Sequence, residues 1–168
     1  LVKKVVFDIN ILPVIKIISA MFVHIFFIFL IFIVMALFGY MPSICYIQAF
    51  YYSFCMICLI LAIGYFTSSL SVFFRDLPQF VQVCLSAGMW LTPIMWAFDM
   101  LQGYWFSFIF KLNPMFYVVE GYRSAILGHQ WLFSNWKLTI YFWCVVVLLT
   151  LIGRNVFKKM KPHFADVL

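Results

Sequence analysis

The sequence predicts an all-α fold: an integral membrane helical bundle of about four transmembrane helices, with short re-entrant or interfacial helices on one side. Three observations predict it. Hydrophobic residues make up 67% of the 168 and charged residues only 10%, whereas a soluble domain runs nearer half apolar and a quarter charged. So few charges cannot cover a water-soluble surface. Apolar runs long enough to cross hydrocarbon, about 20 residues, recur along the chain with turn chemistry between them. The basic residues, finally, sit at the ends of these runs. The net charge of +6 is therefore no sign of nucleic acid, which calls for a basic stripe on a soluble face.

The first apolar run covers about 14–38, rich in Ile and Phe, and Gly39-Tyr-Met-Pro-Ser43 ends it with turn residues. The chain before it opens on Leu1 with no basic, apolar and small-residue succession of a secretory leader, and is read as a piece of a longer chain. The second run covers about 49–74. Its Gly64 and Thr67-Ser-Ser69 step predict close helix approach. A charged turn, Arg75-Asp76-Leu77-Pro78, leads to the third run, about 80–98, which Thr92-Pro93 shortens or kinks. The fourth covers about 136–152.

The stretch 99–135 is too long for a turn, yet apolar. Tyr104-Trp-Phe-Ser-Phe-Ile-Phe110 is too short to span. Asn113-Pro114 is a helix start, since Asn caps and Pro fits the first helical position. A helix from Pro114 to about Leu127 would end at Gly128. Two short apolar helices on one side imply re-entry or an interfacial position. Non-helical backbone between them is tolerable only in protein or against a water-filled cavity.

Loop charges give the orientation. Lys3, Lys4 and Lys16 flank the first run, Arg75 follows the second, and Arg154, Lys158, Lys159 and Lys161 follow the fourth. With four crossings these regions share one side, and the basic-rich side is cytoplasmic. Trp96, Trp105, Trp131 and Trp136 gather at the opposite face, as an interfacial aromatic belt does.

Each chemically suggestive group has a plain counterpart. Glu120 and Arg123, three apart on a predicted helix, share a face; charges at membrane depth are costly and mark function, or else brace the hairpin. Arg75-Asp76 reads as a capped turn beside a helix N-terminus, or as a contact that receives motion from a cytoplasmic partner. His24 within the first run reads as a hydrogen-bonded neutral imidazole sooner than a proton relay. Cys55-x-x-Cys58 lies inside an apolar run without a second ligand pair, so small-residue packing explains it better than metal. Trp90, Trp96, Tyr104 and Trp105 are the aromatics best suited to stack on sugars; most of the others face lipid or protein. The Lys158-Lys-Met-Lys161 tail suits anionic headgroups. There is no Gly-x-x-x-x-Gly-Lys-[Ser/Thr] phosphate loop and no nucleophile or paired-carboxylate arrangement, so the chain is expected to be a non-enzymatic subunit with no cofactor or metal of its own.

Several stretches in order carry a family likeness: Lys3-Lys-Val-Val-Phe7 with Ile11-Leu-Pro13, Ser71-Val-Phe-Phe-Arg-Asp76, Leu91-Thr-Pro-Ile-Met-Trp96, Leu112-Asn-Pro114, Glu120-Gly-Tyr-Arg123, Gly153-Arg-Asn-Val-Phe157 and Phe164-Ala-Asp-Val-Leu168. With these, the chain resembles the permease subunit of type 2 ABC exporters, in the branch that exports lipid-linked polysaccharides such as O-antigen, capsule and teichoic acid. It is similar to the last four spans of that family, a single transmembrane domain over 1–168 that lacks the family's N-terminal part. The family's frequent Phe-Pro reads Phe7-Asp8 here. The resemblance implies a homodimer with two nucleotide-binding ATPase subunits, which hold the ATP and magnesium, in the bacterial cytoplasmic membrane. It implies coupling to the ATPase around Lys3, Lys4 and Phe7, a cytoplasmic turn at Arg75 and Asp76, and channel or gate residues among Pro93, Met95, Trp96, Tyr104, Trp105, Glu120 and Arg123. An exporter of a drug or small lipid, and a membrane enzyme of polyprenyl-linked sugars, remain as alternatives. The Leu91-Thr-Pro-Ile run favours the glycan branch, and no interfacial acidic or basic cluster favours the enzyme.

Overall fold

The computed structural model describes residues 12–40, 43–71, 74, 76–101, 103–128 and 130–160, and these form helices and turns without a strand. The chain divides into two units, Leu1–Tyr40 and Met41–Leu168. The first contributes one helix, α1 (Leu12–Leu37). Its 26 residues make a rod of about 39 Å, and its apolar stretch is long enough to cross a membrane. It stops where the sequence predicts. Gly39 takes φ +82°, open to residues without a Cβ. Its N–H donates to the Ala36 carbonyl (3.1 Å) and the Tyr40 N–H to that of Met35 (3.0 Å), closing the helix with a left-handed turn.

The second unit holds α2 (Gln48–Ser71), α3 (Leu77–Leu91), α4 (Ser107–Lys111), α5 (Pro114–Ile126) and α6 (Trp136–Met160). Its core is a seam between α2, α5 and α6. Tyr52, Cys55 and Leu59 face Tyr117, Val118 and Ala125 of α5 and Phe142 and Val146 of α6. Spacings of three and four put the α2 and α6 residues on one helix face each, and Val118 and Ala125, seven apart, return to one face of α5 beside Tyr117. α2 and α6 run parallel: Trp143 meets Tyr51 near both beginnings, and Gly153 lies against Ala62 and Phe66 further along. Helices in lipid gain little from hydrophobic burial against each other, so fit and small residues decide such contacts. Gly153, where an added Cβ would stand 3.2 Å from the Ala62 carbonyl oxygen, is a place of close approach. Gly64, which the sequence nominates for that role, faces open space. A small residue permits contact but does not say which of its neighbours arrives.

Three helices among the described residues are long and apolar enough to cross a membrane: Val14–Leu37, Ile44–Thr67 and Trp136–Val156. α3 is shorter. Its 15 residues span about 22 Å, less than the roughly 30 Å hydrocarbon core. The sequence expects a run through 98, but the helix ends at Leu91. Thr92 is extended at φ −94°, ψ 134°, the conformation a following proline imposes. α6 runs on to Met160, eight residues past the predicted end at 152, because Arg154 and Lys158 end the apolar run without breaking the helix. The elements from Thr92 to Asn135 gather at the end of the unit where α2 and α6 begin, and Asp76 lies at the far end of α2.

Candidate functional site

The site forms around the end of α3. Beyond Leu91 the backbone stops repeating, and its carbonyls need partners from outside the helix. Thr92 supplies the first correction: its N–H and its hydroxyl both donate to the Gly88 carbonyl at 2.8 Å. Thr92 and Pro93 are buried, so these needs cannot be met by solvent.

The remaining partners come from the hairpin of α4 and α5, which Leu112 and Asn113 join. Asn113 caps α5, its Oδ1 accepting the Met115 N–H at 3.0 Å, with Pro114 in the first turn. Its Nδ2 reaches back and donates to Thr92 Oγ1 at 2.8 Å. One amide thus starts one helix and latches the end of another. Three turns on, Arg123 pairs with Glu120 (Nη1 to Oε2, 3.1 Å). Its Nη2 donates to the carbonyl oxygens of Pro93 (2.7 Å) and Trp96 (3.2 Å). Charge-assisted bonds to orphaned carbonyls are stronger than neutral ones. A planar guanidinium serves three acceptors at once, which a lysine's point charge does less well. Trp96 adds its own bond, the indole N–H donating to the Trp90 carbonyl at 3.3 Å, and sets its ring edge-on to Phe110 with centroids 5.4 Å apart.

The hairpin and the segment that follows it are tied to the bundle at four further points. Gln48, at the start of α2, donates from Nε2 to the Gln130 carbonyl (3.0 Å) and accepts the Leu132 N–H on Oε1 (2.6 Å). The Tyr141 hydroxyl donates to the Leu112 carbonyl at 2.7 Å. A hydroxyl cluster joins the three core helices: the Trp143 indole donates to Tyr51 (2.9 Å), and Tyr117 lies 3.4 Å from Tyr51 and 3.1 Å from the Thr139 hydroxyl. Ser53 and Tyr122 share a 2.6 Å bond. Burial pushes the Tyr122 phenol up from its ordinary pKa, so it stays neutral.

Beside the clamp opens a cleft of about 520 Å³, lined by Phe98, Lys111, Glu120, Arg123, Gln130 and Asn135 among others. The Lys111 ammonium stands 5.3 Å over the Phe98 ring, a cation–π distance.

The structure therefore brings together Pro93, Trp96, Glu120 and Arg123 of the residues nominated from sequence. It leaves Met95, Tyr104 and Trp105 outside the clamp. Met95 is 78% exposed and Trp105 87%, while Tyr104 stacks on Phe106 at 5.2 Å. Trp90 too is largely exposed. Asp76 stands at the N-cap position of α3, but its side chain makes no capping hydrogen bond. Its backbone is in the helical region rather than extended, which turns the carboxylate away from the first-turn N–H groups. Lys3, Lys4, Phe7 and Arg75 lie outside the described residues. The expected helix from Pro114 forms and ends at Ile126. Sequence reasoning missed the pairing of Thr92 with Asn113, although both were conspicuous as polar residues before a proline in apolar surroundings. It also missed Gln48, an amide at the head of an apolar run.

Fold and site together define an integral membrane protein whose apolar helices carry a hairpin of two short helices braced by partly buried polar groups. Residues 9–127 match the family model described as ABC-2 type transporter. That is more than half of the chain, which belongs to the ABC-2 type transporter family; the whole clamp, Thr92 to Arg123, lies inside the matched segment. Two proteins of Klebsiella pneumoniae, each called O-antigen export system permease protein RfbA, are 34% identical to the chain over 105 residues. The matched part is 60% of this chain and 38% of each relative, so the chain spans less than half the length of these curated relatives.

Proposed function

We propose that the chain is the membrane-spanning permease part of an ATP-driven exporter that moves a lipid-linked polysaccharide, of O-antigen, capsule or teichoic-acid type, across the bacterial cytoplasmic membrane. Family membership and the likeness to O-antigen export permeases support this reading. The observation that carries it is the Arg123 clamp on the Pro93 and Trp96 carbonyls. A polar glycan cannot cross hydrocarbon, so its route needs polar groups and non-helical backbone at membrane depth. Such backbone is tolerated only in protein or along a wet path, and ionised side chains there mark function.

On this reading α1, α2, α3 with its extension, and α6 make four crossings, and 99–135 is the outer hairpin. A second copy completes the path. Two nucleotide-binding subunits hold the ATP and magnesium and act on the cytoplasmic side through Lys3, Lys4, Phe7 and the Arg75-Asp76 turn.

The test is Arg123→Ala, with surface glycan and permease abundance measured in the same cells. Export should fall at least ten-fold at near-normal abundance, and Arg123→Lys should recover only part of it, since an ammonium restores charge without the fork. Normal export at normal abundance in Arg123→Ala would refute the assignment.

A further inference from the structure

We infer that the cleft beside the clamp is a binding site for a single uncharged saccharide unit; this rests on the export reading above. Its size, about 520 Å³, falls within the roughly 300–1,000 Å³ of small-molecule sites. Its lining is two-sided. Phe98, Phe116, Leu127 and Leu138 give apolar surface, and Lys111, Asp99, Glu120, Ser124, Gln130 and Asn135 give polar groups. A sugar ring has that character, with C–H faces and a rim of hydroxyls that both donate and accept.

The charge pattern selects among ligands. Lys111 and Arg123 are balanced by Asp99 and Glu120 in the same lining. Arg123 is already committed to Glu120 and two carbonyls, and the Lys111 ammonium rests over an aromatic face. An anionic headgroup would meet two carboxylates with no unengaged guanidinium, and a cation would meet Lys111. A neutral polyol meets acceptors and donors alike. Glu120 offers Oε1, which accepts no hydrogen bond among the described residues, while Oε2 holds Arg123. The same carboxylate therefore borders both cleft and clamp, and a sugar bound there would touch the brace on the α3 break.

The experiment uses the full-length permease in lipid nanodiscs. The probes are the repeat-unit oligosaccharide cut from the host cell's surface glycan, and glycerophosphoglycerol as a lipid-headgroup mimic. Saturation-transfer NMR should show the oligosaccharide binding at least ten-fold more weakly to Asn135→Leu and Lys111→Met; both positions are exposed and outside the clamp. A second arm needs no loss of cleft groups. In a Cys84→Ser, Cys144→Ser background, the oligosaccharide should slow maleimide labelling several-fold at Leu127→Cys, on the cleft, and not at Phe108→Cys, away from it. Unchanged affinity in the variants with no protection at 127 overturns the site, as does protection by glycerophosphoglycerol alone. Deleting the gene separates the two claims. If surface glycan is lost on deletion while both arms are negative, the site is wrong and the export reading stands. If glycan persists, the export reading falls and takes the site with it.

Discussion

α5 has two faces, and different physics holds each. Tyr117, Gly121 and Ala125, at intervals of four, are buried against α2 and α6, where fit decides. Glu120, Arg123 and Leu127 lie on the other side, at intervals of three and four, along the cleft and the α3 break. That side is half-exposed and held by hydrogen bonds to backbone. A face bound by shape fails through volume changes and takes the whole unit with it. A face bound by directed polar contacts fails locally and leaves the bundle standing.

Gly121→Ala is the largest expected effect. A Cβ there would run into the ring of Tyr52. That ring is 4% exposed and is enclosed by Tyr51, Tyr117 and Tyr122 at centroid distances of 5.4, 5.6 and 5.9 Å, so it has nowhere to swing. Overpacking of this kind costs about 3 kcal/mol. It should be read as lost folded yield and a lower Tm in detergent. Tyr52→Leu in the same background should restore part of the loss, because touching residues couple. What folds should still export, since Glu120 and Arg123 are untouched. A fully folded Gly121→Ala protein that fails to export would show that the two faces cannot be separated.

Asn113→Ala should do less, and locally. It removes the cap on Met115, worth about 1 kcal/mol, and the donor to Thr92. Hydrogen exchange should quicken in the first turn of α5 and leave the paired stretches of α2 and α6 unchanged. Asn113→Asp sharpens the comparison: it keeps the cap acceptor and loses the Nδ2 donor, so the α5 turn should stay protected while the Thr92 latch weakens. Exchange rising equally along α2 and α6 would mean that the clamp supports the bundle itself.

The two faces also differed in how far they could be read from the sequence. The bundle is legible because length and apolarity are local properties: α1, α2 and α6 follow from runs of about 20 apolar residues, and Gly39 and Asn113-Pro114 mark ends by their own backbone chemistry. The end of α3 was legible as a break at Thr92-Pro93 but was set too late, since the apolar residues continue through Phe98 after the helix has stopped. The pair Glu120–Arg123 was legible because helical spacing brings it together. Its carbonyl partners were not, because Arg123 and Pro93 are 30 residues apart and a backbone oxygen carries no sequence signal. Exposure of Met95 and Trp105 was equally hidden, as Met and Trp read the same on either side of a turn.

Tyr51→Phe is the smallest expected effect and tests the seam from the other direction. The Tyr51 hydroxyl accepts the Trp143 indole N–H at 2.9 Å and approaches Tyr117 at 3.4 Å, so its loss strands an indole donor in an apolar setting. Side-chain hydrogen bonds between membrane helices have measured about 0.6 kcal/mol on average, because the separated helices find other partners. Reversible unfolding in mixed micelles, run as a cycle with Trp143→Phe, should return a coupling of at most about 1 kcal/mol. A coupling above about 2 kcal/mol would place the α2–α6 seam under the same directed polar control as the clamp. Fit could then no longer explain why Gly121 and Gly153 stand where they do.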